Sequence, residues 1–228
     1  MRILHFSLSI NFLHIMLLLP LSIRGFSTKS LPTIHRILVP IASGSEEIET
    51  TCITDVLTRF GAEVTVASVT SKTVKMSRGL NIEADCLITS LPFPASTYSA
   101  IVLPGGVPGV NHLADCETLK ALLLEHHEQK GLIAAICAAP SKVLSPLNLL
   151  NGSPCTGYPS PSFNELIEKN GGILSSDDVV YCPKNNLITS KGPATAMMFG
   201  LTVGEYLFGE EKAGEIAGEL LMLEEGEE

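Results

Sequence analysis

Cys137 is the residue of this 228-residue chain best placed for nucleophilic chemistry. It closes an apolar run, residues 131–136 (GLIAAI), and is followed at once by Ala138-Ala139-Pro140. That spacing predicts a strand passing into a helix over 138–144 with no loop between them. A side chain on such an elbow projects out of the sheet rather than into the core. The helix start would aim the Ala138 and Ala139 N–H groups the same way and favour a thiolate. Pro140 suits a first helical turn, where a missing N–H costs nothing. The competing reading is a buried structural cysteine, a common place for this residue type.

Two further segments could complete a site. Pro104-Gly105-Gly106 follows the apolar run 100–103 (AIVL) and lacks bulk, so its backbone N–H groups could serve as oxyanion donors. A plain turn is the alternative. Glu46, Glu47 and Glu49 open a helix, where acidic residues complement the macrodipole. Glu46 and Glu47 read as solvent-facing. Glu49, next to the inward-facing Ile48, lies closer to the buried side, where a carboxyl can acquire a raised pKa and act as acid or base.

The rest of the sequence supplies a frame for these residues. Residues 36–42 (RILVPIA), 63–69 (EVTVASV), 100–103, 131–136, 179–182 and 187–190 read as strands. Helical patterns fall at 46–60, 119–129, 194–208 and 211–223, the first with Ile48, Cys52, Ile53, Val56, Leu57 and Phe60 on one face. Strands alternating with helices, several apolar throughout, predict an α/β fold with a covered, mostly parallel sheet. Ligands in such sheets bind beyond the carboxyl ends of the strands, where 44–49, 104–109 and 137–140 all fall.

Composition narrows the function. Hydrophobic residues make up 45% of the chain and charged ones 17%, enough for a sizeable core. A net charge of −9, aromatics at 5% and no Trp argue against nucleic-acid binding. Cys52, Cys86, Cys116, Cys137, Cys155 and Cys182 form no CxxC pair, so reduced thiols are expected and neither a zinc ribbon nor a thioredoxin-type site is written. No GxGxxG or Walker A sequence points to a nucleotide.

No acidic residue precedes Glu46, which marks the amino-terminal stretch as a targeting segment. The apolar run 11–23 suits a secretory signal; Arg24-Gly25-Phe26-Ser27-Thr28 suits an organelle presequence cut after Phe26. An ordered helix is the third reading. An organelle is favoured, mitochondrion before plastid, with the secretory pathway as alternative. The expected layout is a leader at 1–28, a linker at 29–35, one domain at 36–223 and an acidic tail at 224–228, with no membrane segment in the mature form.

GSEEIE after a strand, VLPGG, GLIAAICAAP and the later SKGPAT (190–195) together resemble the DJ-1/PfpI superfamily, specifically its DJ-1 branch. The resemblance implies a flavodoxin-like three-layer sandwich, normally a homodimer. It implies an oxidisable nucleophile at Cys137 and, at Glu49, a protonated carboxyl that bonds the sulfur and handles protons. Gly106 and Ala138 would be oxyanion donors, and Asp55, Arg59 and Arg78 charges near the dimer interface and pocket. Two departures stand out. Tyr158-Pro159 occupies the place where many members have a histidine shortly before a proline, and Ala139 stands where glycine is frequent. Tyr158 could still donate a hydrogen bond to a substrate oxygen, although it cannot be a neutral-pH base.

The expected activity is a glyoxalase or deglycase reaction, needing no metal or organic cofactor. Its substrates would be α-oxoaldehydes such as methylglyoxal, or glycated protein or nucleotide, in a role against carbonyl and oxidative stress. One alternative is a redox sensor or chaperone-like protein whose accessible, low-pKa Cys137 oxidises to sulfenate and sulfinate. Another is a PfpI-like cysteine peptidase or amidotransferase, which needs a histidine base. His112, read as lying in a loop after Gly109, could approach the site; His126 and His127 read as a solvated helix face.

Overall fold

Aliphatic runs with no polar alternation make strands buried on both faces. Those at 36–42 and 131–136 do so in the computed structural model, which describes residues 34–222. In chain order the first elements are β1 (Arg36–Ile41), α1 (Glu47–Arg59), β2 (Glu63–Ser68), β3 (Thr73–Lys75), β4 (Asn81–Glu83), β5 (Cys86–Leu87) and β6 (Tyr98–Leu103). Next come α2 (Val107–Asp115), α3 (Glu117–Glu128), β7 (Leu132–Ile136), β8 (Pro154–Cys155), α4 (Pro161–Lys169) and β9 (Ile173–Leu174). The last are β10 (Val179–Cys182), β11 (Leu187–Ser190), α5 (Ala196–Phe208) and α6 (Glu210–Glu219).

Seven strands form the central sheet in the order β10-β11-β7-β6-β1-β2-β5. Every neighbouring pair is parallel except the edge pair of β10 with β11. The chain leaves β1 for β2 on one side and returns through β6 to β7 on the other. Right-handed crossovers therefore put α1 on one face and α2 with α3 on the opposite face. The expected α/β sandwich with a mostly parallel sheet is present. Its topological switch point lies between β1 and β6, and that crevice is where such folds bind ligands.

Helix α1 is held to the sheet by Ile53 and Leu57, both fully buried, and to α5 by a close helix–helix contact. A Cβ at Gly204 would lie 2.1 Å from the Phe60 ring, and one at Gly200 would lie 3.0 Å from Val56. Two glycines one turn apart on α5 thus admit the side chains of α1, which sets the height of α1 over the sheet. The amphipathic pattern of α1 differs at its start from expectation: Ile48 is 52% exposed, whereas Glu49 is fully buried.

The segment after Cys137 is not a regular α-helix. Residues Pro140–Leu144 make one π-helical turn, with the Ser145 N–H donating to the Pro140 carbonyl, and Ser145–Leu147 make a 3-10 turn. Pro140 and Pro146 each lack the N–H that would extend an α-helical ladder. The expected leader at 1–28, most of the linker at 29–35 and the tail at 224–228 lie outside the described residues. Among the described residues no helix is long and apolar enough to cross a membrane.

Candidate active site

Four neighbouring strands, β11, β7, β6 and β1, end on one side of the sheet. The loops leaving them meet there. Cys137 follows β7 directly with φ +65°, a left-handed conformation rare for a residue with a side chain. Both its backbone groups are tied: its N–H donates to the Ser190 carbonyl (2.9 Å), and its carbonyl accepts from the Tyr158 N–H (2.7 Å). The end of β11 and the segment between β8 and α4 thus hold a backbone geometry that would otherwise relax. The sulfur lies at the floor of a cleft of about 440 Å³, and the residue is 8% exposed.

Glu49 reaches the same point from the first turn of α1. Its Oε2 accepts from the Gly105 N–H at 2.6 Å, and its carboxyl is in hydrogen-bonding contact with the Cys137 thiol. Oε1 is buried with no hydrogen-bond partner. Burial pushes the Glu49 carboxyl up to about 7, against the hydrogen bonds from Cys137 and Gly105. Burial first, then the Glu49 charge and hydrogen bond, push the Cys137 thiol up to about 12. The N–H groups of Gly106 and Ala138, both directed at the sulfur, oppose that rise.

Groups this close release protons as one unit. The pair carries two protons below about pH 7 and one above it. The remaining proton rests on sulfur, because burial and the Glu49 charge outweigh the two backbone donors, and it can pass to the carboxyl as the thiol reacts. Burial and the Glu49 charge work against the accessible, low-pKa thiolate that the redox-sensor reading needs. Only the short turn Pro140–Leu144 follows the elbow, and the thiol is buried.

The oxyanion expectation divides between two glycines. Gly105 directs its N–H to Glu49, so it positions the acid instead of facing the cleft; Gly106 and Ala138 line the cleft. Neither glycine tolerates a side chain. A Cβ at Gly105 would lie 2.6 Å from the Cys137 Cβ and 2.7 Å from Glu49 Oε2. Gly106 has φ +88°, and a Cβ there would lie within 2.4 Å of the Gly44 carbonyl and 2.7 Å of the Glu46 nitrogen. Gly106→Ala is expected to destabilise the fold by at least about 1–3 kcal/mol from backbone strain alone. The midpoint of urea unfolding would measure that loss, and an unchanged midpoint would refute the packing described.

Glu46 and Glu47 are not solvated end charges. Glu46 is 8% exposed and caps α1, its Oε2 accepting from the Glu49 N–H at 2.7 Å. Glu47 binds the turn between β3 and β4, accepting from Ser77 Oγ (2.8 Å) and from the Arg78 and Leu80 N–H groups. That turn carries Arg78 to the cleft wall, where Ser77 also lies. Tyr158 lines the cleft too, 48% exposed.

Asp55 and Arg59 do not line the cleft. They pair with each other at 2.8 Å on the exposed face of α1, where Arg59 also lies 3.9 Å from Glu219. His112 sits on α2, not in a loop, is exposed and lies outside the cleft lining. His126 is buried, and its Nε2 lies 3.0 Å from the Leu132 carbonyl, joining α3 to β7. Among the described residues no group of three or more His, Cys, Asp or Glu could hold a metal ion.

Sequence reasoning placed Val107 and Pro108 only as part of the 104–109 segment and missed Ser77, Ser160 and Phe163 in the lining. Helix α4, which carries Phe163, was detectable from Ser160 before Pro161 and from the spacing of Phe163, Leu166 and Ile167.

These features define a class: a doubly wound α/β protein with a cysteine and a carboxylic acid paired at its switch point. Comparison with known proteins gives the family. Residues 35–205 match the DJ-1/PfpI family. Protein DJ-1 homolog A of Arabidopsis thaliana is 38% identical over 187 residues, 82% of this chain but 46% of that protein, so the chain spans less than half of this plant relative. Glutathione-independent glyoxalase DJR-1.2 of Caenorhabditis elegans is 34% identical over 180 residues, covering 79% of this chain and 91% of that one. The solved structure of oxidized Toxoplasma gondii DJ-1 superposes with a TM-score of 0.75 at 41% identity, covering 82% of this chain and 98% of that one. The chain belongs to the DJ-1/PfpI family.

Proposed function

We propose that the chain is a cofactor-free, cysteine-dependent glyoxalase that converts 2-oxoaldehydes such as methylglyoxal into 2-hydroxy acids. The observation that carries this reading is the buried Glu49 carboxyl, bound on one side by the Gly105 N–H and facing the Cys137 thiol on the other. The glyoxalase name of the nematode relative supports the substrate class.

The thiolate form of Cys137 attacks the aldehyde carbon, and the Glu49 acid protonates the resulting alkoxide to give a hemithioacetal. The N–H groups of Gly106 and Ala138 stabilise the developing oxyanion. Glu49, now ionised, removes the C1 proton and returns it to C2, while the C1 hydroxyl proton passes to the C2 oxygen. The product is a thioester on Cys137. Water hydrolyses it, releasing the hydroxy acid and regenerating the thiol. One water is consumed and no external electron donor is required. The same attack on an early glycation adduct would make the protein a deglycase.

Two results are expected from kinetics on the purified chain. First, turnover of methylglyoxal rises with pH through about 7, because loss of the first proton from the Glu49–Cys137 pair ionises Glu49, the base that takes the thiol proton as the sulfur attacks. A rate that falls over pH 6–8 would contradict this assignment. Second, Gly105→Ala parts the acid from the thiol and lowers kcat on the order of a hundredfold, the size expected for a displacement of about 1 Å at reacting groups. Unchanged kcat would show that the Glu49–Gly105 contact is incidental. We place the protein in an organelle, as a homodimer, and import and sedimentation measurements test those two points.

A further inference from the structure

The cleft over Cys137 is lined by both polar and apolar side chains. Glu46, Ser77 and Arg78 line one polar part. The apolar part consists of Val107 and Pro108 from the first turn of α2, Tyr158, Phe163 and Pro193. Val107 is 50% exposed and Tyr158 48% exposed, although each belongs to a type that gains by burial. The rings of Tyr158 and Phe163 meet edge to face with centroids 6.3 Å apart. Lys142 Nζ lies 5.6 Å from the Phe163 ring centroid and helps to hold that ring. Tyr158 is also anchored through its backbone, because its N–H donates to the Cys137 carbonyl. The aromatic wall is therefore tied to the same residue that carries the sulfur.

Size points the same way. At about 440 Å³ the cleft lies in the range of sites for drug-sized ligands, well above the needs of a three-carbon aldehyde. A methyl substituent would leave most of the apolar wall in water. We infer that the site selects 2-oxoaldehydes with an aryl or bulky apolar substituent on the ketone carbon, bound against Val107, Tyr158 and Phe163. This rests on the glyoxalase reading and adds a substrate class to it. Tyr158 is then a specificity residue, since its half-exposed ring extends the apolar surface beside Phe163.

The test compares kcat/KM for phenylglyoxal and methylglyoxal in the wild-type chain and in Phe163→Ala, Phe163→Leu and Val107→Ser. The wild type is expected to prefer phenylglyoxal by roughly tenfold or more, the scale of hydrophobic discrimination in a pocket. Phe163→Ala and Val107→Ser are expected to reduce that ratio severalfold, and Phe163→Leu, which keeps bulk, to reduce it less. A second arm needs no turnover: lactate and mandelate are compared as protectants of Cys137 against iodoacetamide, read by mass spectrometry. Mandelate should protect at a lower concentration. Turnover of methylglyoxal with no preference for phenylglyoxal would overturn the specificity and leave the glyoxalase reading intact. Absence of turnover with either aldehyde, together with selective protection by mandelate, would overturn the glyoxalase reading and uphold the apolar wall. Equal protection by the two acids would overturn the apolar wall.

Discussion

Cys137→Ala is expected to reduce lactate formation from methylglyoxal by at least about a thousandfold, the scale of losses when a covalent nucleophile is removed. The size of the effect follows from the mechanism, in which every later bond change takes place on this sulfur. The fold should persist, because the side chain lies at the floor of an open cleft and the backbone ties to Ser190 and Tyr158 do not involve it. Circular dichroism would check that point. Replacing Cys182 or Cys155, which are buried away from the cleft lining, should leave the chemistry in place. Lactate formation persisting in Cys137→Ala would remove the covalent step altogether.

Glu49→Gln is expected to separate three properties that the acid couples. Turnover should fall by about 10²–10⁴-fold, the usual contribution of a positioned proton-transfer group. Alkylation of Cys137 should become faster, because the charge that helps hold the thiol proton is gone and the two backbone donors remain. Stability should rise at pH 8. The Glu49 carboxyl has an ordinary value of 4.5 and is raised by burial to about 7 in the folded chain. The unfolded chain therefore ionises first, and the wild type loses stability as pH climbs from about 4.5 to about 7. Over that window the loss is on the order of 3 kcal/mol, which the glutamine variant avoids. Below pH 4.5 the carboxyl is protonated in both states and the advantage should vanish. A variant no more stable than wild type at pH 8 would mean that Glu49 is not held near neutral pH. Such a cost at a buried acid is the expected signature of a group kept for chemistry rather than stability.

Much of the framework could be read from the amino-acid order because the central strands carry unbroken aliphatic runs. β10 and β11 occupy the anticipated residues, 179–182 and 187–190, and the three loops expected to converge do so. The Cys137–Glu49 pairing was anticipated, but the reasoning about α1 had the wrong side chain facing inward. Periodicity assigns the interior to Ile48 because it weighs only hydrophobicity. The chain buries Glu49 instead, since the Gly105 N–H satisfies one oxygen and the raised pKa lets the group shed its charge. A contact 56 residues apart in sequence leaves no local trace.

Other differences share this cause. His112 lies on α2 instead of in a loop, because Pro108 falls in the first turn of that helix and Gly109 lies against Ser45, where any Cβ would collide. Gly105 looked like an oxyanion donor because composition reveals a bare backbone but not its direction. His126 looked solvated, whereas its ring covers Gly131, with a Cβ position only 2.2 Å from ring carbon Cε1. In each case tertiary contact, not sequence pattern, decided which way a group faces.

The most direct test of the shared-proton, covalent account is mass spectrometry of the chain quenched with acid during turnover of methylglyoxal, with every cysteine-containing peptide examined. The mechanism requires a lactyl thioester on the Cys137 peptide alone, present in the wild type and missing in Glu49→Gln. Steady lactate production with Cys137 never acylated, or with acylation scattered across the other cysteines, would contradict it.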